Sequence, residues 1–198
     1  MKKIGMLFAV LAGALWAAQA QAQSSGQWYL GVGGGAVWSG DSPYPTTIQD
    51  TVSEGGKVYA GGIGEHWGVE FGYYYLGKYD INASDVKVGE QKLQSVTAAG
   101  VYSAEFMPGF LFHGKLGVAW TENQYTCTAQ CGALSPQNID TKKTGLSGVW
   151  GLGVGIRVFR NFEIRSDYEH FGSVHEAIST LNYHSGFDLF SVSAQLNF

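Results

Sequence analysis

The sequence is poor in charge, in cysteine and in proline. Charged residues make up 14% of its 198 residues, against about 25% in a typical soluble domain. It has two cysteines and four prolines, and its acidic residues outnumber its basic ones by 16 to 12. A basic footprint for nucleic acid is therefore absent, and no nucleic-acid partner is expected. Beyond residue 22 no run approaches the ~20 consecutive apolar residues of a membrane helix, which excludes a helical membrane protein.

The first segment has the pattern of an export signal. A basic "MKK" precedes the apolar run "IGMLFAVLAGALWAA", and small residues follow in "AQAQA". This order predicts a secretory signal peptide over residues 1–22, cleaved after Ala22 or else after Ala20. Removing Lys2 and Lys3 from the 12 basic residues leaves 10 against 16 acidic residues, a formal charge of −6. The remaining residues, 23–198, are predicted to form one domain.

Glycine and aromatic residues are abundant. The chain has 29 glycines and is 14% aromatic. The glycines have no three-residue period, which excludes collagen, and this many aromatic residues excludes disorder. Two classes remain: an all-β protein with an apolar exterior, and an unusually apolar secreted sandwich.

Alternation of apolar and small or polar residues decides between these classes. Eight segments have a period of two: 27–38, 55–64, 66–78, 92–105, 109–121, 145–159, 161–171 and 187–198. The links between them alternate in length. Short ones fall at 64–65, 106–109 and 160–161, and long ones at 39–54, 79–91, 122–144 and 172–186. This regular alternation predicts an eight-stranded antiparallel up-and-down transmembrane β-barrel, with tight turns at one end and loops at the other.

The bulky face of each strand is the apolar one. In "HWGVEFGYYYLGK" (66–78), large apolar or aromatic side chains alternate with Gly68, Glu70 and Gly72. A soluble barrel would place its bulk inside, so the apolar face is expected to meet lipid, with Val96, Ala98 and Tyr102 outward on the ambiguous fourth strand. Aromatic residues near the strand ends are predicted to form the interfacial girdles: Trp28, Trp38, Trp67, Tyr75, Trp120 and Phe198.

Ionisable residues on the opposite face are expected inside the barrel. They are Glu70, Lys115, Arg157, Glu163, Arg165, Asp167 and Glu169. Charges at membrane depth are costly unless paired or hydrated, so the mixed signs predict a network. The favoured interpretation is a rigid plug of a narrow lumen. A gate that opens by exchange of ion-pair partners is the alternative, and a catalytic role is the least favoured.

The final strand resembles the outer-membrane assembly signal that the barrel-assembly machinery reads. Its sequence "DLFSVSAQLNF" places apolar residues on alternate positions and ends in phenylalanine. The residues of this predicted signal are Phe190, Val192, Ala194, Leu196 and Phe198.

Two further groups invite a chemical interpretation. Cys127 and Cys131 lie close together in a predicted loop of an exported chain, which favours a disulfide over a metal site. "EHFGSVHEA" holds His170, Ser173, His175 and Glu176, the residue types of a lipid hydrolase. His170 and Ser173 have opposite parity in a strand, so they are interpreted as a rim histidine and a loop serine. No cofactor or metal ion is expected.

"WGVEFGYYYLGKY", "FHGKLGVAW" and "FEIRSDYEHFG" resemble the eight-stranded transmembrane domain of the OmpA family. The resemblance implies an outer-membrane barrel with a polar lumen and roles in envelope integrity, adhesion or weak pore formation. It matches Glu70, Lys115 and Arg165 to lumenal positions of the family. Ala99 stands where a lysine partner can occur, and Arg157 where OmpA carries an acid. No periplasmic peptidoglycan-binding domain is expected.

The sequence therefore predicts a structural and surface-interaction scaffold in the outer membrane of a Gram-negative bacterium, without an active site. Its expected partners are outer-membrane lipids and lipopolysaccharide, the barrel-assembly machinery, and a host or other surface ligand. The ligand would be contacted through four extracellular loops, above all 39–54 and 122–144. A small diffusion pore gated by lumenal ion pairs and a lipid A deacylase are the alternatives.

Overall fold

The computed structural model describes residues 26–39, 52–83, 86–127, 141–175 and 184–198. The predicted signal peptide, 1–22, lies outside these ranges. No helix within them is long and apolar enough to span a membrane.

Eight strands form a closed barrel in which each strand pairs with the next along the chain. Their bounds are β1 Gln27–Ser39, β2 Val52–Ile63, β3 Trp67–Ala83, β4 Val86–Met107, β5 Phe110–Cys127, β6 Thr141–Phe159, β7 Phe162–His175 and β8 His184–Asn197. Every pairing is antiparallel, and β1 pairs with β8 to close the sheet. The predicted fold class is confirmed.

The two ends of the barrel differ in their connections. Short links join the strands around 64–66, 108–109 and 160–161, at the end that also holds both described chain termini; we call this the turn end. The opposite end, where β1–β2, β3–β4, β5–β6 and β7–β8 are connected, is the loop end. At the turn end the Phe198 amide donates to the Trp28 carbonyl at 2.8 Å, which continues the β1–β8 pairing to the end of the chain.

The predicted long connection at 79–91 is wrong. β3 continues to Ala83 and β4 begins at Val86, and the two strands pair from Tyr79 opposite Gln91 to Ala83 opposite Val86. Apolar residues continue to alternate here, because Tyr79, Ile81 and Ala83 are separated by Asp80 and Asn82. The register shifts between Tyr75 and Lys78, so this second alternation does not continue the one in 66–78, and the strands extend beyond the segment that the first pattern marks.

The predicted facing of the strands is confirmed. On β3, Val69 and Phe71 are 53% and 48% exposed on the outer wall, whereas Glu70 between them is 1% exposed and faces the lumen. On β4, Val96 is exposed and Ala99 is buried. The wall therefore presents the continuous apolar surface that a bilayer requires, while every backbone group can pair within the closed sheet.

Glycines on the lumenal face create the space that larger side chains fill. A Cβ atom at Gly31 would collide with the ring of Tyr59, and one at Gly61 would collide with the ring of Tyr29. The lumen of an eight-stranded barrel is just wide enough to be filled by side chains. Glycine on one strand therefore admits a tyrosine from its neighbour.

Candidate functional site

Six buried ionisable side chains meet in the lumen, and none is more than 6% exposed. They come from four strands: Lys57 from β2, Glu70 from β3, Lys115 from β5, and Arg165, Asp167 and Glu169 from β7. We call this group the charged ring, because its ion pairs close on themselves.

Each member of the charged ring contacts two members of opposite sign. Lys57 Nζ lies 2.7 Å from Asp167 Oδ2 and 2.9 Å from Glu169 Oε2. Arg165 contacts the other oxygen of Asp167 through Nε at 2.7 Å and Glu70 Oε2 through Nη1 at 3.2 Å. Lys115 Nζ closes the ring by contacting Glu70 Oε1 at 3.0 Å and Glu169 Oε1. Three cations therefore alternate with three carboxylates.

Tyrosine hydroxyls complete the hydrogen bonding around this ring. Tyr29 donates to Glu70 Oε2 at 3.1 Å. Lys115 donates to the Tyr74 hydroxyl at 2.7 Å, and that hydroxyl donates to Glu169 at 2.8 Å. The cationic groups of Lys57 and Arg165 also lie 5.2 and 5.3 Å from the centre of the Tyr59 ring. Buried charges persist only when they are paired and hydrogen-bonded, and this arrangement meets both conditions.

The sequence positions three of the six members of the ring through one pair of neighbouring strands. Arg165, Asp167 and Glu169 alternate along β7, so all three face the lumen. The facing positions on β6 are glycines: a Cβ atom at Gly153 would collide with Asp167, and one at Gly151 would approach Glu169 to 3.0 Å. The glycines of β6 therefore leave room for the charges of β7.

A second buried pair lies nearer the turn end. His113 Nε2 and Glu163 Oε1 share a hydrogen bond of 2.7 Å, and the two residues are 6% and 2% exposed. Gly155 leaves the space for both side chains. Glu163 is thus lumenal, but its partner is His113 and not a member of the charged ring.

Arg157 does not join the lumenal charges. Its Nη1 contacts Glu105 Oε2 at 3.1 Å, and the two side chains are 34% and 42% exposed at the turn end. Arg157 has the lumenal parity, but it lies only two residues from the end of β6. The side chain therefore reaches water at the rim, where a partner on β4 is available.

Sequence reasoning missed Lys57, and it placed His113 on the inner face of the fifth strand without including it among the lumenal charges. Lys57 shares the lumenal parity of Gly55, Tyr59 and Gly61 on β2, and this parity was the signal that could have identified it. Ala99 lies directly opposite Glu70 in the β3–β4 register. Glu70 is therefore paired not with a lysine on β4 but with Lys115 on β5 and Arg165 on β7.

Above the charged ring, toward the loop end, the lumen holds a cluster of mostly apolar side chains, which the sequence did not predict. Buried side chains pack into one cluster there, and we call it the apolar layer: Val37, Tyr74, Leu76, Tyr79, Leu93, Ala119, Val149, Phe171, Phe187 and Leu189. The rings of Tyr74 and Phe171 meet edge to face at 5.1 Å. Tyr74 also contacts the charged ring through its hydroxyl, so the layer and the ring are in direct contact.

The residues predicted for the girdles lie on the outer wall; four are near strand ends, while Tyr75 and Trp120 lie within the extended strands β3 and β5. Trp67 and Phe198 are each 72% exposed at the turn end, and Trp120 is 63% exposed toward the loop end. Trp38 is also exposed, while Trp28 and Tyr75 are half-buried. The residues of the predicted assembly signal are all exposed on the outer wall as well: Phe190, Val192, Ala194, Leu196 and Phe198.

The hydrolase and cysteine candidates are only partly described. His170 faces the outer wall, and its Nδ1 lies 2.7 Å from Asp188 Oδ1. Ser173 and His175 belong to β7, but their side chains lie outside the described residues, as does Glu176. Cys127 ends β5; its side chain and Cys131 are also outside the description, so the disulfide stays a prediction. Within the described ranges no group of three or more His, Cys, Asp or Glu side chains could hold a metal ion.

The family model described as "Outer membrane protein beta-barrel domain" matches residues 8–198. The chain belongs to this family. Membership agrees with the closed barrel and its apolar wall, and it assigns the protein to the outer membrane of a Gram-negative bacterium. No curated protein matches the sequence.

Solved structures of other outer-membrane proteins have the same fold. Neisserial surface protein A is 12% identical with a TM-score of 0.64, over 86% of this chain and 97% of that one. OprG of Pseudomonas aeruginosa is 14% identical with a TM-score of 0.60, over 90% and 98% of the two chains. Ail of Yersinia pestis, crystallised with the heparin analogue sucrose octasulfate, is 17% identical with a TM-score of 0.55, over 88% and 99%. These relatives are OmpA-like eight-stranded barrels.

Proposed function

We propose that this outer-membrane barrel is a sealed scaffold that displays its loop-end connections at the cell surface and has no active site. The observation that carries the proposal is the filling of the lumen. The charged ring and the apolar layer lie in contact across it, and their side chains are almost completely buried.

The charged ring favours a plug over a gate. A gate that works by exchange of ion-pair partners needs a group that can leave one partner for another. Each charge of the ring already contacts two opposite charges, so moving one side chain breaks two pairs. The apolar layer would still block hydrated ions if the ring rearranged.

Orientation follows from the asymmetry of the connections. Barrels of this kind have short periplasmic turns and longer extracellular loops. We therefore place the turn end in the periplasm and the loop end outside. The predicted contact surfaces 39–54 and 122–144 then belong to the extracellular side. The parts of them that lie between the described strands are 40–51 and 128–140.

The proposed partners follow from this position. The outer wall would contact outer-membrane lipids and lipopolysaccharide, and the last strand would be read by the barrel-assembly machinery after signal-peptide cleavage. A host or other surface ligand would bind the loop-end connections. The complex of Ail with a heparin analogue supports the idea that a small barrel of this fold can bind a ligand.

Planar-bilayer conductance of the refolded protein tests whether the lumen is sealed. We expect no discrete channel events from the wild type, and none from Glu70→Ala, because the apolar layer remains in place. The double variant Phe171→Ala/Leu189→Ala removes part of that layer and serves as the opened comparison. Discrete wild-type events whose size changes in Glu70→Ala would overturn the sealed scaffold in favour of the gated pore.

Epitope accessibility on intact cells tests the orientation. A short tag inserted after residue 133 should bind antibody without permeabilisation. The matched tag, inserted between Arg160 and Asn161 in the β6–β7 turn, should bind only after the outer membrane is opened. The reverse pattern would contradict the proposed display of the loop end.

A further inference from the structure

The outer wall near the loop end carries a polar cluster among its apolar residues. Asp188 Oδ1 accepts a hydrogen bond from the Tyr168 hydroxyl at 2.8 Å and lies 2.7 Å from His170 Nδ1. The Trp150 ring lies beside both partners, with its centre 5.8 Å from that of Tyr168 and 5.5 Å from that of His170. Asp188 lies opposite the predicted girdle residue Trp38 in the β1–β8 register, so the cluster stands at the interfacial level of the wall, where lipid headgroups lie.

The hydrogen bonds of this cluster leave two acceptors unused. A carboxylate can only accept, so the proton in the His170–Asp188 bond belongs to His170 Nδ1; when the ring carries no second proton, Nε2 is an acceptor. Both bonds to Asp188 use Oδ1, and Oδ2 accepts none from the residues that the structure describes. A ligand at this site must therefore bring hydrogen-bond donors.

A bare area of backbone lies next to the cluster on its loop-end side. Gly148, Gly172 and Gly186 occupy outward positions on β6, β7 and β8. A Cβ atom at Gly148 would meet nothing within 4 Å, and one at Gly186 would come within 3.0 Å of the His170 ring. The His170 ring therefore covers Gly186, and the uncovered part is the backbone of Gly148 and Gly172, on neighbouring strands about 4.8 Å apart. The area therefore has room for a flat ring-shaped group beside His170.

We propose that this part of the wall binds the sugar headgroup of a glycolipid. Sugar hydroxyls donate to His170 Nε2 and Asp188 Oδ2, while a face of the sugar ring packs on the exposed Trp150 indole. An unsubstituted phosphate headgroup brings acceptors and negative charge toward Asp188, so it is disfavoured. The site lies on the outer wall and not on the connections between strands, so it does not depend on what the loop end binds. The proposed orientation is needed only to assign the glycolipid to the outer leaflet of the membrane.

Native mass spectrometry of the full barrel in a sugar-free polyoxyethylene detergent tests the site without reference to orientation. The probe is diglucosyl diacylglycerol, compared with phosphatidic acid and phosphatidylethanolamine that carry the same acyl chains. We expect one diglucosyl diacylglycerol to bind at least about fivefold more tightly than phosphatidic acid, the size of one net hydrogen bond.

Two variants separate the site from general contact with lipid. Gly148→Leu covers the bare area with a side chain. Its Cβ atom would meet open space, so this variant should still fold. His170→Leu removes one of the two hydrogen-bonding groups that face the ligand. Each should weaken diglucosyl diacylglycerol binding at least about fivefold. Gly100→Leu, a matched control at another exposed outward glycine whose Cβ would meet only Leu116 O at 3.8 Å, should bind like the wild type.

Two outcomes would overturn the proposal. Equal binding by the wild type and all three variants would mean that the glycolipid is held only as ordinary surrounding lipid. Preferential binding of phosphatidylethanolamine over diglucosyl diacylglycerol would mean that the cluster recognises an ammonium group instead of a sugar. Neither outcome bears on whether the lumen is sealed or the loop end displayed.

Discussion

At the scale of single residues, Lys57 connects two carboxylates that would otherwise repel each other in the lumen. Asp167 and Glu169 are neighbours of one parity on β7, and the Lys57 ammonium group lies within 2.9 Å of both. Removing one partner of a buried pair is far more costly than the pair itself is stabilising, because an uncompensated charge stays behind. The stability of the lumen therefore depends strongly on this lysine.

Lys57→Met should lower the free energy of unfolding by about 3–5 kcal/mol, because Asp167 and Glu169 lose their shared cation. Urea unfolding of the barrel in lipid vesicles measures the change. The control is Lys142→Met, which breaks a pair with Glu122 whose side chains are 40% and 34% exposed; it should cost less than about 1 kcal/mol. Equal losses in the two variants would contradict the role of the charged ring.

At the scale of elements, the β4–β5 turn is stabilised by a carboxylate at its edge. Gly109 adopts a positive φ of 81°, and its amide donates to Glu105 Oε1 at 2.8 Å. This hydrogen bond, followed by the nearby Arg157 guanidinium, holds the pKa of the exposed Glu105 carboxyl below its usual value. A lowered pKa stabilises the fold above the pKa of the unfolded chain, and this stabilisation disappears as the pH falls through the folded pKa.

Carboxyl titration by NMR in micelles should therefore give Glu105 a pKa below that of an ordinary glutamate. Arg157→Gln should raise this pKa only part of the way, because the Gly109 hydrogen bond, the largest single cause, remains. Arg160→Gln, which removes an exposed arginine from the β6–β7 turn, serves as the control and should leave it unchanged. A complete return to the ordinary value in Arg157→Gln would show that the guanidinium and not the amide dominates.

The strands could be predicted from the sequence where one face meets lipid and the other does not. Alternation located β3 and its outward residues such as Val69, because burial on one side imposes a period of two. The prediction failed beyond Lys78, because a register shift between Tyr75 and Lys78 interrupts the alternation that marks β3. It also gave no distances across the lumen. The partnership of Lys57 with Glu169, on strands far apart in sequence, depends on barrel closure, and so does the apolar layer.

At the scale of the whole molecule, the β1–β8 pairing that closes the barrel extends to Phe198. Phe198 and Trp28 pair through their backbones beside the β1–β8 ladder, while the Phe198 side chain remains 72% exposed on the wall. The backbone thus contributes to closure, and the side chain is available for recognition. This division agrees with the predicted role of Phe198 in assembly.

Phe198→Ala should slow assembly into the outer membrane while leaving the unfolding of the assembled barrel nearly unchanged, because the backbone pairing needs no side chain. Pulse-chase labelling with heat-modifiability on gels measures the rate. Phe159→Ala removes a phenylalanine that is 70% exposed at the same end and is the control. Equal assembly rates for the two variants would show that the Phe198 side chain is not part of the assembly signal.

The extended β3–β4–β5 sheet has a mechanical consequence. β4 has 22 residues, whereas about ten tilted residues cross the apolar band of an outer membrane, so about half of the strand stands outside it. The β4–β5 ladder continues unbroken from Gly89 opposite Cys127 to Glu105 opposite Leu111. A pull on the tip along the strands would load these hydrogen bonds together in shear instead of opening them one at a time. The projecting sheet would therefore behave as a stiff stalk that transmits force from a surface contact into the barrel wall.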